Sequence, residues 1–344
     1  MPPLFLYRIF AETGENGVNP YERALYFMLR YSAIRILLLI PIIICVTFII
    51  YWLIDLAPGT VVDTMINEDM SQEDIDALYA KYDLDKPMIV RYGKYMWGLL
   101  HGDLGASQIT GLSVWSQFAK RWPNTLWLAL FSVILGTVVA IPLGIFAAKH
   151  AGSIWDNLTT AFTMIGISMP SFWLGLMLLI WFAGKLKIFP AAYDGTWKAF
   201  VLPVFANGFA MIAGICRQTR SAILEVSRAD FLRTARAKGV PEQQVTYRHE
   251  LGNAWIPIIT QIGALIGITL GGSAVIEAVY SWPGVGYMLV EAIQRRDSVL
   301  ACGTVILNCI IHAVVLLAVD LIYAAVDPRI KSAYIGKKKR RAKA

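Results

Sequence analysis

Charge is scarce in this chain: 16% of its 344 residues are Asp, Glu, Lys or Arg, where a soluble domain carries about 25%. Cysteine and histidine are rarer still, at four each. Cys45, Cys216, Cys302 and Cys309 lie in or beside apolar runs and form no CxxC pair, so no disulfide framework is expected. His101, His150, His249 and His312 form no ligand cluster, which argues against a metal site. No GxxxxGK[ST] phosphate loop and no GxSxG occurs, and His249-Glu250 lacks the second histidine of HExxH. The chain is therefore read as no enzyme, with neither nucleotide hydrolysis nor covalent catalysis of its own.

What the chain has in abundance is apolar residues, 57% of the total. They fall in runs of about 20, the length that crosses a hydrocarbon core about 30 Å thick. The first run begins near Ala33 behind a polar leader and at about 21 residues is too long for a signal-peptide core. Six spans are predicted: Ile34–Ile54, Thr125–Ala148, Thr160–Phe182, Phe200–Cys216, Ile256–Val279 and Ala301–Val326. Each is read as a helix, which satisfies its own backbone in lipid. The expected organisation is an all-α membrane domain over 33–330 after a leader, 1–32, and before a basic tail, 331–344.

Orientation follows from the placement of Lys and Arg. The tail and the 217–255 segment are basic, whereas 55–122 holds nine acidic residues from Asp63 to Asp103. An even number of spans with basic loops inside puts both termini in the cytoplasm and 55–122 outside. The net charge of +7 is thus read as an anchor against anionic lipid, and no nucleic-acid partner is expected. In the external segment, Ser71-Gln72-Glu73-Asp74 predicts a capped helix start. Ile75, Leu78, Tyr79 and Tyr82 would then share one apolar face.

Few spans carry charge. Asp55 ends span one, Glu277 lies near the end of span five, and Asp320 falls within span six. An ionisable group in a membrane is costly, so Glu277 and Asp320 are candidate pathway-lining residues or structural partners of neighbouring helices. Gly263, Gly267 and Gly271 align small residues on one helix face, for packing within the chain or at a dimer seam. Pro142 and Pro170 predict kinks.

The 217–255 segment is the most informative. Ser221 to Lys238 reads as helical, Gly239 stands where a helix ends in a left-handed residue, and Pro241 suits the start of another. A basic helix-turn-helix between two spans is shaped to dock into another protein. Within it, Asp230-Phe231-Leu232-Arg233-Thr234-Ala235-Arg236-Ala237-Lys238-Gly239 resembles the "EAA…G" loop of ABC importer permeases, in the peptide/nickel branch. Further similar stretches run in the same order: Ala57-Pro58-Gly59, Asp83-Leu84-Asp85-Lys86-Pro87, Gly102-Asp103-Leu104-Gly105, Pro170-Ser171-Phe172-Trp173, Ser281-Trp282-Pro283-Gly284-Val285-Gly286 and Asp327-Pro328-Arg329-Ile330. Thr234 stands where the general signature has Glu, and the leader is longer than the family's usual start, so the resemblance says nothing about it.

The resemblance implies a type I importer permease in a bacterial or archaeal inner membrane. A second homologous permease would complete the pathway. Two ATPase subunits, holding ATP and Mg, would each receive one hairpin, and an external binding protein would deliver substrate. Asp230, Arg233, Thr234, Ala235, Arg236 and Gly239 become the coupling residues, with an exposed Arg236 guanidinium offered to an acidic group on the ATPase. Di- or oligopeptides are the implied cargo, with nickel chelates or other small solutes as the alternative. An ion-driven secondary transporter would instead call for internal repeats and midplane charges, and neither is evident.

Overall fold

A computed structural model describes residues 20–67 and 69–326, and among them the regular structure is entirely helical. Helix α1 spans Pro20–Leu56, so the helix of span one already begins inside what reads as a polar leader. The rest of the leader and the basic tail lie outside the described residues. The 55–122 segment carries α2 (Gln72–Lys81) and α3 (Met88–Leu100). Then come α4 (Val114–Lys149), α5 (Ile154–Ser168), α6 (Ser171–Leu178) and α7 (Lys198–Val226). The hairpin contributes α8 (Asp230–Ala237) and α9 (Glu242–Gln244). The last described elements are α10 (Leu251–Gly272), α11 (Ala274–Val279), α12 (Val285–Gln294) and α13 (Ser298–Val326).

Among the described residues, five helices are long and apolar enough to cross a bilayer: Leu37–Leu56, Val114–Lys149, Lys198–Val226, Glu242–Thr269 and Ser298–Val319. The third predicted span completes the six as a bent pair, with its bend at Pro170, where a kink is expected. It is two helices, Ile154–Ser168 and Ser171–Lys185, bent by 100°. Pro170 is the cause. Its ring disfavours helical backbone at the preceding residue, and Met169 is extended (φ −82°, ψ 123°). Pro142, by contrast, sits inside an unbroken α4. Leu37, Val138 and Ile268 are more than 60% exposed, a surface that calls for lipid or a partner subunit.

The centre of the bundle is the α4–α7 seam, built on missing side chains. A Cβ at Gly144 would come within 2.7 Å of the Cys216 carbonyl oxygen, and one at Gly136 would reach 3.0 Å from Met211. Ala140, Ile145, Met211, Ile215, Ile223, Leu251 and Ile258 fill the space around it. Gly267 plays the same part on α10, where a Cβ would sit 2.7 Å from Leu316 of α13. At that position the small-residue stripe packs helices within the chain. All four cysteines are free.

Outside the bundle, Ser71 caps α2 through a reciprocal capping box with Asp74. Ile75, Leu78, Tyr79 and Tyr82 are half-buried among exposed neighbours. Tyr79 donates to Asp63 at 3.0 Å and Tyr82 to the Gln108 carbonyl at 2.6 Å, so the face packs on the 55–122 segment itself. Lys86 and Lys94 flank Asp83 and hold its carboxyl down to about 2. Asp55, at the end of α1, pairs with Arg91 of α3.

Candidate functional site

The Arg-rich segment forms the helix-turn-helix expected, with one change. The helical stretch from Ser221 breaks at residues 227–229. Ser227 Oγ donates back to the Leu224 carbonyl at 2.8 Å, which caps α7, and Ala229 is extended (ψ 141°). The break lets α8 turn so that Leu232 is fully buried. On the far side, Gly239 has φ +75°. The Val240 N–H reaches the Ala235 carbonyl and the Gly239 N–H the Arg236 carbonyl, at 3.3 and 2.9 Å. This pair of bonds is a Schellman closure, which uses a left-handed residue at that point. Pro241 then precedes α9, and a π-helical turn, Val245–Glu250, feeds straight into α10. The hairpin is therefore continuous with the membrane helix after it.

Two faces result. Leu232 and Val245 point inward and are fully buried. Outward stand Asp230 (side chain 96% exposed), Arg233 (82%), Thr234, Phe231 and Tyr247. Asp230 and Arg233 lie 3.8 Å apart on one helix face, a pair worth only a few tenths of a kcal/mol, about 0.3. Their exposure leaves both free for another surface. Ala235 is half-buried behind them.

Arg236 differs from its expected role as a free cation. Its guanidinium lies 3.0 and 2.9 Å from the two Glu242 oxygens and 3.3 Å from Glu250. The carboxylates beside it hold the guanidinium above its usual range. Lys149, at the last turn of α4, reaches the same two carboxylates at 3.1 Å (Glu242) and 2.7 Å (Glu250). The Glu250 carboxyl is fully buried. Two cations and two anions thus bind the hairpin to the end of α4. Sequence reasoning missed Lys149, Glu242 and Glu250. Glu242 was within reach, because a sharp turn at Gly239 brings residue 242 back against 236; nothing local marks Lys149.

The hairpin end holds a second ion pair, in which Arg220 of α7 grips Asp156 of α5 at 2.5 and 2.7 Å. At the opposite end of α4 sits Glu277, fully buried on α11. It accepts from Thr125 Oγ1 at 2.9 Å, Ser273 Oγ at 3.0 Å and the Tyr287 N–H at 3.0 Å. Thr125 Oγ1 in turn accepts the Val285 N–H, and Asn124 Nδ2 donates to the Pro283 carbonyl. The Ser281–Gly286 turn is thereby pinned to α4, with both Glu277 oxygens engaged internally. The side chain of Asp320 lies outside the described residues.

Comparison with known proteins places this arrangement. The model of the family described as "Binding-protein-dependent transport system inner membrane component" matches residues 140–332, the stretch that holds the hairpin. The dipeptide transport system permease protein DppB of Escherichia coli K12 is 36% identical over 88% of this chain and 99% of its own. The oligopeptide transport system permease protein AppB of Bacillus subtilis is 35% identical over 88% and 100%. The glutathione transport system permease protein GsiC of Salmonella paratyphi A is 34% identical over 88% and 99%. A chain of the inward-facing MetNI methionine ABC transporter superposes with a TM-score of 0.52 at 20% identity, over 61% of this chain and 96% of that one; this likeness concerns the fold.

Proposed function

The chain belongs to the family of binding-protein-dependent transport system inner membrane components, and from that premise we propose that it imports di- or oligopeptides as one of two permeases in an ABC complex. As a permease subunit it carries no ATPase of its own; hydrolysis resides in separate subunits. In our reading two ATPases, with ATP and Mg, sit under the hairpins and an external binding protein delivers the cargo. The observation that carries the reading is the hairpin, which is anchored by buried Leu232 and Val245 and presents Asp230, Phe231, Arg233 and Thr234 outward. ATP would draw the ATPases together, and the hairpins would pass that movement to the helices as rigid bodies. The peptide cargo is supported by relatives named for dipeptide, oligopeptide and glutathione transport.

Uptake in a strain lacking the chain tests the cargo. Labelled di- and tripeptides should enter only when the chain is restored, and purified chain alone should hydrolyse no ATP. Uptake of a nickel chelate with no peptide uptake would overturn the cargo assignment.

We place both termini in the cytoplasm, on the strength of the basic tail and the acidic 55–122 segment. An impermeant thiol reagent on whole cells should modify Asp69→Cys and spare Lys339→Cys, in a background without native cysteines. The reverse pattern would invert the chain.

A further inference from the structure

We propose that α4 is the rod carrying hairpin movement to the far end of the permease, and that Lys149 is the positioning residue that fastens the hairpin to it. This deepens the coupling reading and rests on it.

The hairpin is joined covalently to α7 and α10, which would suffice if those helices alone transmitted movement. The structure adds a third attachment. Lys149 Nζ lies 2.7 Å from Glu250 and 3.1 Å from Glu242, and Arg236 bridges the same carboxylates from α8. The cluster is electrically neutral and centred on the fully buried Glu250. A buried carboxylate is tolerated only while paired, and parting the hairpin from α4 would take away its nearer partner, Lys149 at 2.7 Å, leaving Arg236 at 3.3 Å. The pairing therefore resists sliding between the two elements during the ATP cycle.

The other end of α4 is fastened as well. Thr125 bonds both Glu277 and the Val285 N–H, and Asn124 bonds the Pro283 carbonyl. Thr125 and Lys149 are separated by 24 residues of one unbroken helix, or about 36 Å. Between them Gly136 and Gly144 seat α4 tightly on α7. A displacement of the hairpin thus has one continuous helix through which to reach the Ser281–Gly286 turn.

The test uses the full complex in vesicles. Lys149→Gln should keep ATPase subunits bound and ATP hydrolysis running, while peptide transported per ATP falls on the order of tenfold, the size of a typical coupling effect. Lys149→Arg, which keeps the charge, should restore the ratio. Combining Lys149→Gln with Thr125→Val should cost no more than the worse single change, since links in series fail together. In a separate sample without native cysteines, Lys149→Cys joined to Glu242→Cys by a short bifunctional maleimide should still transport, because the clamp moves as one body. A normal ratio for Lys149→Gln, loss of ATPase binding in that variant, multiplicative effects in the double variant, or transport stopped by the cross-link would each overturn the rod. Failure of the docking reading is a different result: Arg233→Glu with Phe231→Ala would then keep both ATPase binding and uptake.

Discussion

Gly239→Val should reach the membrane at the normal level and import nothing. Gly239 has φ +75°, and a Cβ there meets no atom within 4 Å. The cost is therefore backbone strain alone, about 1–2 kcal/mol for the left-handed conformation and more for a β-branched residue. The simplest relief is to open the Schellman closure, which misdirects α8 and its outward face of Asp230, Arg233 and Thr234. Gly239→Asn is the control, because Asn tolerates this region, and it should keep most of the uptake. Uptake and ATPase pull-down check both variants. Normal transport by Gly239→Val would remove the turn from the coupling mechanism.

Glu277→Ala should lose the folded chain. The fully buried carboxylate receives two hydroxyls and a backbone N–H. Each donor left unpaired costs about 1–3 kcal/mol, so the total is on the order of 3–5 kcal/mol, in the exceptional range for one substitution. Glu277→Gln should be mild by comparison. Its carbonyl oxygen can face the Tyr287 N–H while its amide donates to the rotatable hydroxyls of Thr125 and Ser273. Membrane level and thermal melting in detergent separate the two. Were Glu277 instead a charged lining of the pathway, Glu277→Gln would fold normally and stop transport.

These two residues show how unevenly the molecule can be read from its chain. Gly239 was legible because a left-handed C-terminal glycine followed by Pro241 is a local signal, complete within a few positions. The Ser71–Asp74 capping box and the Ile75, Leu78, Tyr79, Tyr82 face were legible for the same reason. Glu277 announced itself as a charge beside an apolar run, but its partners lie across the fold, Thr125 being 152 positions away. Arg236 is a like case: its charge was visible, its pairing with Glu242 and Glu250 was not.

The chain by itself determined that it crosses a membrane, that its structure is helical and that a basic helix-turn-helix lies between two spans. Run length, backbone satisfaction in lipid and turn chemistry are all local properties, so they can be read one segment at a time. The kink at Pro170 belongs with these, because a proline acts on the residue before it; the tertiary structure supplied its size, a bend of 100°. It also decided that Gly136 and Gly144 seat α4 on α7 and that Lys149 closes a four-charge cluster with the hairpin. Each of these depends on which surfaces meet. A missing Cβ or a single lysine acquires its meaning only from a neighbour that the sequence places far away.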